Sequence, residues 1–274
     1  MLYQNYLRTI LEWKHQISFR KRKIVSETDN FIVTAYNITS PKVFKETSII
    51  FFSDTHFNKN NIKLQDELLN LINSFYSDVV IFGGDLVSYN INLPKSIEFL
   101  AKINPKADKL GVLGNWEYRK IGWPGNIDFW VKKFKEANFK ILADSCHKKN
   151  NITFYGLNYN RKSIAQNFIS DSDKFTCLIS HIPDSATNYI RHNNLRSIDL
   201  ILAGHTHGGQ IRIPYLNSLI HSLLFGKTSE YGLYKNRHLD TELIITNGIG
   251  NNDIFDIRLF CKPEIVNVKI HSIG

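Results

Sequence analysis

Cysteine is scarce in this chain: Cys146, Cys177 and Cys261 are widely spaced and form no CxxC pair. That excludes a disulfide framework and a zinc knuckle, and a reducing compartment is the simpler expectation. Long apolar runs are missing too. Nothing approaches the roughly 18 to 20 residues needed to span a bilayer, and no charged-then-apolar opening leads to a small-residue cleavage site. The chain is therefore expected inside the cell, in the cytoplasm. No repeat, low-complexity tract or Pro/Gly-rich linker divides its 274 residues, so one large core is expected. Acidic residues are outnumbered, with 25 Asp and Glu against 34 Lys and Arg and a formal charge of +9. The surplus favours anionic partners, whether phosphorylated metabolites, lipid headgroups or nucleic acid, without choosing among them.

What is present falls into two parts. Leu2, Tyr3, Tyr6, Leu7, Ile10, Leu11 and Trp13 recur at helical spacing, and the basic run Arg20, Lys21, Arg22, Lys23 follows. Residues 1–30 read as an amphipathic basic helix, suited to the anionic inner face of a membrane or to docking on the domain. Residues 31–274 read as a catalytic domain of the α/β class. Its first strand-like runs are Ile32 to Tyr36, Ser48 to Phe52, Val79 to Phe82 and Leu110 to Leu113, with a helix-like segment from Ile62 to Tyr76. A second series follows at Ile152 to Tyr155, Thr176 to Ile179, Leu200 to Ala203, Leu243 to Thr246 and Ile265 to Ile270.

Five of these strands run directly into loops rich in metal-ligating side chains. The loops are Ser53-Asp54-Thr55-His56, Gly83-Gly84-Asp85, Gly114-Asn115, Ser180-His181 and Gly204-His205-Thr206-His207. In α/β sheets ligands bind beyond the carboxyl ends of strands, so loops far apart in the chain can converge there. A lone histidine at a strand end is more often a satisfied polar residue; five such loops in order are not the same observation. The donors are oxygen and nitrogen, which suits Mn, Fe, Zn, Co or Mg better than sulfur-loving metals. Two such cations sharing Asp85 would lower the pKa of a water held between them, and the resulting hydroxide attacks phosphorus in line.

On these motifs the sequence resembles the calcineurin-like metallophosphoesterases, whose series is DxH, GDxxD, GNH(D/E), a later H and GHxH. The resemblance covers roughly residues 45 to 270. The run Gly204 to Gln210, with Gly248-Ile249-Gly250, Arg258 and Pro263-Glu264, looks like the bacterial branch of YkuE- and YaeI-type phosphodiesterases, related to a chlamydial-type UDP-diacylglucosamine pyrophosphatase. It implies a four-layer α/β/β/α sandwich of two mixed sheets with flanking helices. It also implies two divalent ions, the first held by Asp54, His56, Asp85 and His207 and the second by Asp85, Asn115, His181 and His205. Asp54, Asp85, Asn115 and His205 take the catalytic roles.

Two positions depart from the family pattern. Trp116 stands where GNH(D/E) has its histidine, and indole cannot act as a general acid. A substrate with a good leaving group, such as a pyrophosphate or an activated diester, is therefore expected, unless Glu117, a water or a nearby histidine supplies the proton. Ser88 replaces the last Asp of GDxxD, which predicts altered tuning of the site. Substrate contacts are expected from Trp116, Glu117, Arg119 and Trp123, the last two offering a cation and a stacking plane. The apolar stretch from Ile211 to Phe225 reads either as a wall facing a lipid-linked substrate or as core. A nuclease or cyclic nucleotide phosphodiesterase, and a noncatalytic metal-binding scaffold, are the competing functions.

Overall fold

The computed structural model describes residues 13–16, 22–118, 127–159, 172–192, 197–212, 231–251 and 257–273. Numbered in chain order, the strands form two seven-stranded sheets. One runs β2 (Arg22–Glu27), β3 (Ile32–Ser40), β14 (Glu264–Ser272), β4 (Thr47–Phe52), β5 (Val79–Phe82), β6 (Asp108–Gly111), β7 (Lys140–Ile141). The other runs β1 (Trp13–Gln16), β12 (Gly232–Asn236), β13 (Glu242–Ile245), β11 (Leu200–Ala203), β10 (Phe175–Ser180), β9 (Ile152–Gly156), β8 (Ser145–Lys149). The described helices of more than one turn are α1 (Gln65–Asn73), α2 (Leu93–Lys102), α3 (Ile127–Glu136) and α4 (Pro183–His192). None is long and apolar enough to cross a membrane.

The alternation of side chains along each strand builds the layers. In β4, Ile49 and Phe51 join a core shared with Phe154, Cys177 and Leu202 of the second sheet. The intervening Ile50 and Phe52 join Leu68, Leu100 and Phe134 of α1, α2 and α3. Across the sandwich Leu178, Ile201 and Ile245 pack outward against Tyr189 and Ile190 of α4. Both faces of each sheet are thus buried, which is why β4, β5, β10 and β11 are apolar runs without alternation. The expected four-layer α/β/β/α sandwich of mixed sheets is the observed architecture. Within it β4, β5 and β6 run parallel, as do β10, β11 and β13, so each sheet presents a row of carboxyl ends.

The N-terminal segment departs from expectation where it is described. Residues 13–16 and 22–27 are strands, although a helix was expected through residue 30. β1 pairs antiparallel with β12, and β2 with β3, and Trp13 is buried against the outer face of the second sheet. Partners more than two hundred residues away in one case and a neighbouring strand in the other override the local helical spacing. The remainder of the predicted helix, residues 1–12, lies outside the described residues.

Candidate metal centre

Every expected ligand loop leaves the carboxyl end of a strand, and the backbone there is forced into an uncommon shape. Asp54, His56, Asp85, His205 and His207 have φ of 55°, 40°, 61°, 70° and 51°. Left-handed backbone costs a residue with a Cβ on the order of 1 to 2 kcal/mol. Five such residues persist only because surrounding contacts over-determine them. Asp54 N donates to Gly84 O at 2.8 Å, His56 N to Asp85 O at 3.0 Å, and Ile249 N to Ser53 O at 3.0 Å. Gly84 is required outright: its φ is +100°, and a Cβ would lie 2.6 Å from Gly114 N.

The side chains gather into two groups, each with ligand atoms within 4.8 Å of one another: Asp54, His56 and His207, and Asp85, His181 and His205. His181 Nε2 stands at the junction, 3.2 Å from Asp85 Oδ2, 3.0 Å from Asn115 Oδ1 and 3.2 Å from His205 Nδ1. His56 Nε2 approaches Asp85 Oδ2 from the other group at 3.5 Å. All seven residues expected as ligands are therefore brought together. Five are buried, and Asn115 and His205 are half-buried.

Two carbonyls fix how the histidines are presented. His181 Nδ1 lies 2.8 Å from Gly83 O and His207 Nδ1 3.2 Å from Gly250 O. A ring whose Nδ1–H donates to a carbonyl turns its Nε2 lone pair toward the centre, as metal-ligating histidines do. Asp54 Oδ1 is buried without a hydrogen-bond partner among the described residues, and His207 Nε2 and His181 Nε2 face it at 3.8 and 3.9 Å. Ionised oxygen and bare imidazole nitrogen packed this closely repel unless a cation or proton lies between them. The donor set fits divalent cations of the borderline or hard kind.

The electrostatics carry the same message. Burial opposes charge on His181, but Asp85 and Asp54 beside it prevail and raise it to about 10. Burial likewise opposes the Asp85 charge, and His181 and His56 hold that carboxyl well below its ordinary range. Burial lowers His205 to about 4, helped by the positive charge of His181. Burial also lowers His207, with His56 and Arg258 adding to it.

Glu117 corrects the sequence reading. Expected to touch substrate, it is 2% exposed. Its Oε2 accepts from Gly114 N at 2.7 Å and Asp85 N at 3.0 Å, and its Oε1 from Leu86 N at 2.8 Å. The carboxylate therefore clamps the loops of Asp85 and Asn115 together rather than reaching the substrate side. Burial and the charge of Asp85 raise it to about 7, against the three amides that favour its anion. Trp116 packs edge-on to His56, with ring centroids 5.2 Å apart, and its backbone N–H donates to Asp85 Oδ1 at 2.8 Å. Ser88 Oγ reaches His56 O at 3.4 Å, a contact the family's carboxylate could not make as a donor. Arg119, Trp123 and residues 213–225 of the apolar stretch lie outside the described residues.

Arg258, noted in the sequence only as part of a late motif, is a second brace. It bonds to the carbonyls of Gly250 and Asn247 and lies 3.4 Å from His207 Nδ1. Tyr118 and Tyr159 were not singled out from sequence. They pair at 5.3 Å between ring centroids, and Tyr159 lies 6.4 Å from the His181 ring. No residue-type pattern links positions 118 and 159, so only the fold reveals the pair.

Comparison with known proteins agrees with this geometry. Residues 47–209 match the family model described as calcineurin-like phosphoesterase. An uncharacterized metallophosphoesterase of Aquifex aeolicus is 26% identical over 266 residues, covering 90% of this chain and 95% of that protein. One from Helicobacter pylori strain J99 is 31% identical over 245 residues, covering 84% of this chain and 61% of the relative. This chain thus spans about three fifths of the length of that Helicobacter protein. The uncharacterized metallophosphoesterase YkuE of Bacillus subtilis is 26% identical over 246 residues, covering 85% of this chain and 82% of its own.

Proposed function

Because the chain belongs to the calcineurin-like phosphoesterase family, a family of hydrolases that bind two divalent metals, we propose that it cleaves phosphodiester or pyrophosphate bonds with two cations. In this reading Asp54, His56, Asp85 and His207 hold one cation, and Asp85, Asn115, His181 and His205 the other. The observation that carries it is the meeting of the two ligand groups at Asp85, with His181 and Asn115 on one side and His56 on the other. Bound divalent cations acidify water and offset the charge that builds on phosphoryl oxygens. The chain's own residues supply the rest. Gly83 and Gly250 carbonyls orient His181 and His207, and Glu117 fixes the spacing of the Asp85 and Asn115 loops. Trp116 closes the His56 side to water.

The substrate follows from Trp116. With indole in the place of the family's histidine, no acid at that position protonates a departing alkoxide, so phosphate or aryloxide leaving groups are favoured. A nucleotide-linked or lipid-linked pyrophosphate meets that requirement, and the charge of +9 suits an anionic substrate or an anionic membrane surface. YkuE-branch membership and a location at the inner face of the membrane belong to the same proposal. Manganese is the first cation to try, with iron, zinc and magnesium after it.

The test is hydrolysis of bis(p-nitrophenyl) phosphate and of a UDP-sugar by metal-free protein refilled with Mn²⁺, beside an Asp85→Ala control. Turnover that the control abolishes, with the UDP-sugar cleaved at the anhydride, is the expected result. Full metal occupancy without turnover of either would leave a metal-binding scaffold, and cleavage of nucleic acid or cyclic nucleotides alone would make the nuclease or cyclic phosphodiesterase reading the right one.

A further inference from the structure

The two sides of the metal centre are unequal. On the His56 side, the His56 ring is stacked with His207 at 5.0 Å and met edge-on by Trp116, which is only 8% exposed. On the His181 side the neighbouring ring is Tyr159, which is 36% exposed and tilted by 71° to the imidazole. Tyr118 packs against Tyr159, with the rings inclined by 34°. The Tyr118 phenol donates to Asn158 Oδ1, and Asn158 N donates to Asp144 Oδ1 at 3.3 Å, so the residue before Tyr159 is held through both its side chain and its backbone. The pair comes from two loops that also serve the centre: Tyr118 follows Asn115 by three residues, and Tyr159 follows β9, which is paired with the strand leading to His181.

A half-exposed aromatic ring fixed beside phosphoryl-binding side chains is built to take a flat partner. Rings held in place lose little entropy on stacking, and every nucleobase presents a π-face whatever its sequence of donors and acceptors. We propose, resting on the phosphoesterase reading above, that Tyr159, backed by Tyr118, is the platform for the base of a nucleoside phosphate whose phosphorus lies at the metal centre. The substrate class is thereby narrowed to nucleotide-linked phosphates, and the base lies on the His181 side, away from Trp116. Alkyl or lipid groups on the same phosphate would extend elsewhere.

The test compares two ligands that share a sugar phosphate and differ only in the base. Binding of uridine monophosphate and of ribose phosphate to the Mn²⁺-loaded full chain is measured by calorimetry for the wild type, Tyr159→Ala and Tyr159→Phe. The base is expected to add roughly tenfold or more to affinity in the wild type, to lose most of that in Tyr159→Ala and to keep it in Tyr159→Phe. Equal affinity for the two ligands in the wild type, or a base contribution that survives Tyr159→Ala, overturns the platform. Bis(p-nitrophenyl) phosphate turnover is read on the same samples. Its absence counts against the phosphoesterase reading, whereas turnover with no base contribution counts against the platform alone.

Discussion

Trp116 and Glu117 are adjacent and do opposite things. Trp116 removes an acid from the site, so Trp116→His should restore one. Turnover of an alkyl diester should rise by roughly tenfold or more, with a much smaller gain for a p-nitrophenyl diester, as measured by the dependence of rate on leaving-group pKa. Glu117 holds three buried amides, and Glu117→Ala leaves them without an acceptor. A buried unsatisfied donor costs about 1 to 3 kcal/mol, so the variant should unfold at least about 3 kcal/mol more easily in urea and bind Mn²⁺ more weakly. Mn²⁺ affinity unchanged from the wild type would mean the clamp does not set the ligand spacing. His181 gives a third expectation. Its folded value of about 10 lies above the ordinary 6.5, so in metal-free protein its contribution to stability is complete below about 6.5 and is lost as pH rises through 10. The urea midpoint of chelated protein should therefore fall between pH 8 and about 10 more than that of Mn²⁺-loaded protein, in which the ring is held deprotonated. Metal uptake near neutral pH should release a proton, visible as an enthalpy that changes with the buffer.

At the level of strands and loops, Gly84 joins β5 to the ligand Asp85 at φ +100°, with Gly114 N 2.6 Å from where a Cβ would stand. Gly84→Ala should cost about 2 kcal/mol or more in chemical denaturation, since it adds backbone strain to a collision with main chain that cannot swing aside. A loss below about 0.5 kcal/mol would show that the two loops can separate. The same level explains what the sequence makes legible. Runs such as Ile49 to Phe52 and Val79 to Phe82 are uniformly apolar because both sheet faces are covered, and each leads within three residues to a ligand, Asp54 or Asp85, so strand and loop are read together. β1 and β2 hid in a segment with helical spacing, because strand formation there depends on partners that local spacing does not report. The seven expected ligands were legible by residue type. The role of Glu117 was not, because its partners are backbone amides, which every residue carries. The aromatic pair was hidden for the same kind of reason, since residues 118 and 159 meet only through tertiary packing.

For the whole molecule, metal and stability are linked. A cation that binds the folded centre and not the unfolded chain stabilises by RT ln(1 + [L]/Kd), about 2.7 kcal/mol at a hundredfold excess over Kd. Chelation should lower the thermal midpoint by several degrees, and re-addition of Mn²⁺ should restore it, with the loss smaller in Asp85→Ala. A midpoint indifferent to chelator would mean that the five left-handed ligands are held by the protein framework alone. The topology that carries them has a consequence for how the chain is made. β14 lies between β3 and β4, yet it is synthesised more than two hundred residues after either. Until it emerges from the ribosome, both of those strands present bare hydrogen-bonding edges to whatever is near. A nascent chain in that state is a natural client for holding chaperones, and the arrival of this late strand is the step that commits the first sheet to its native order.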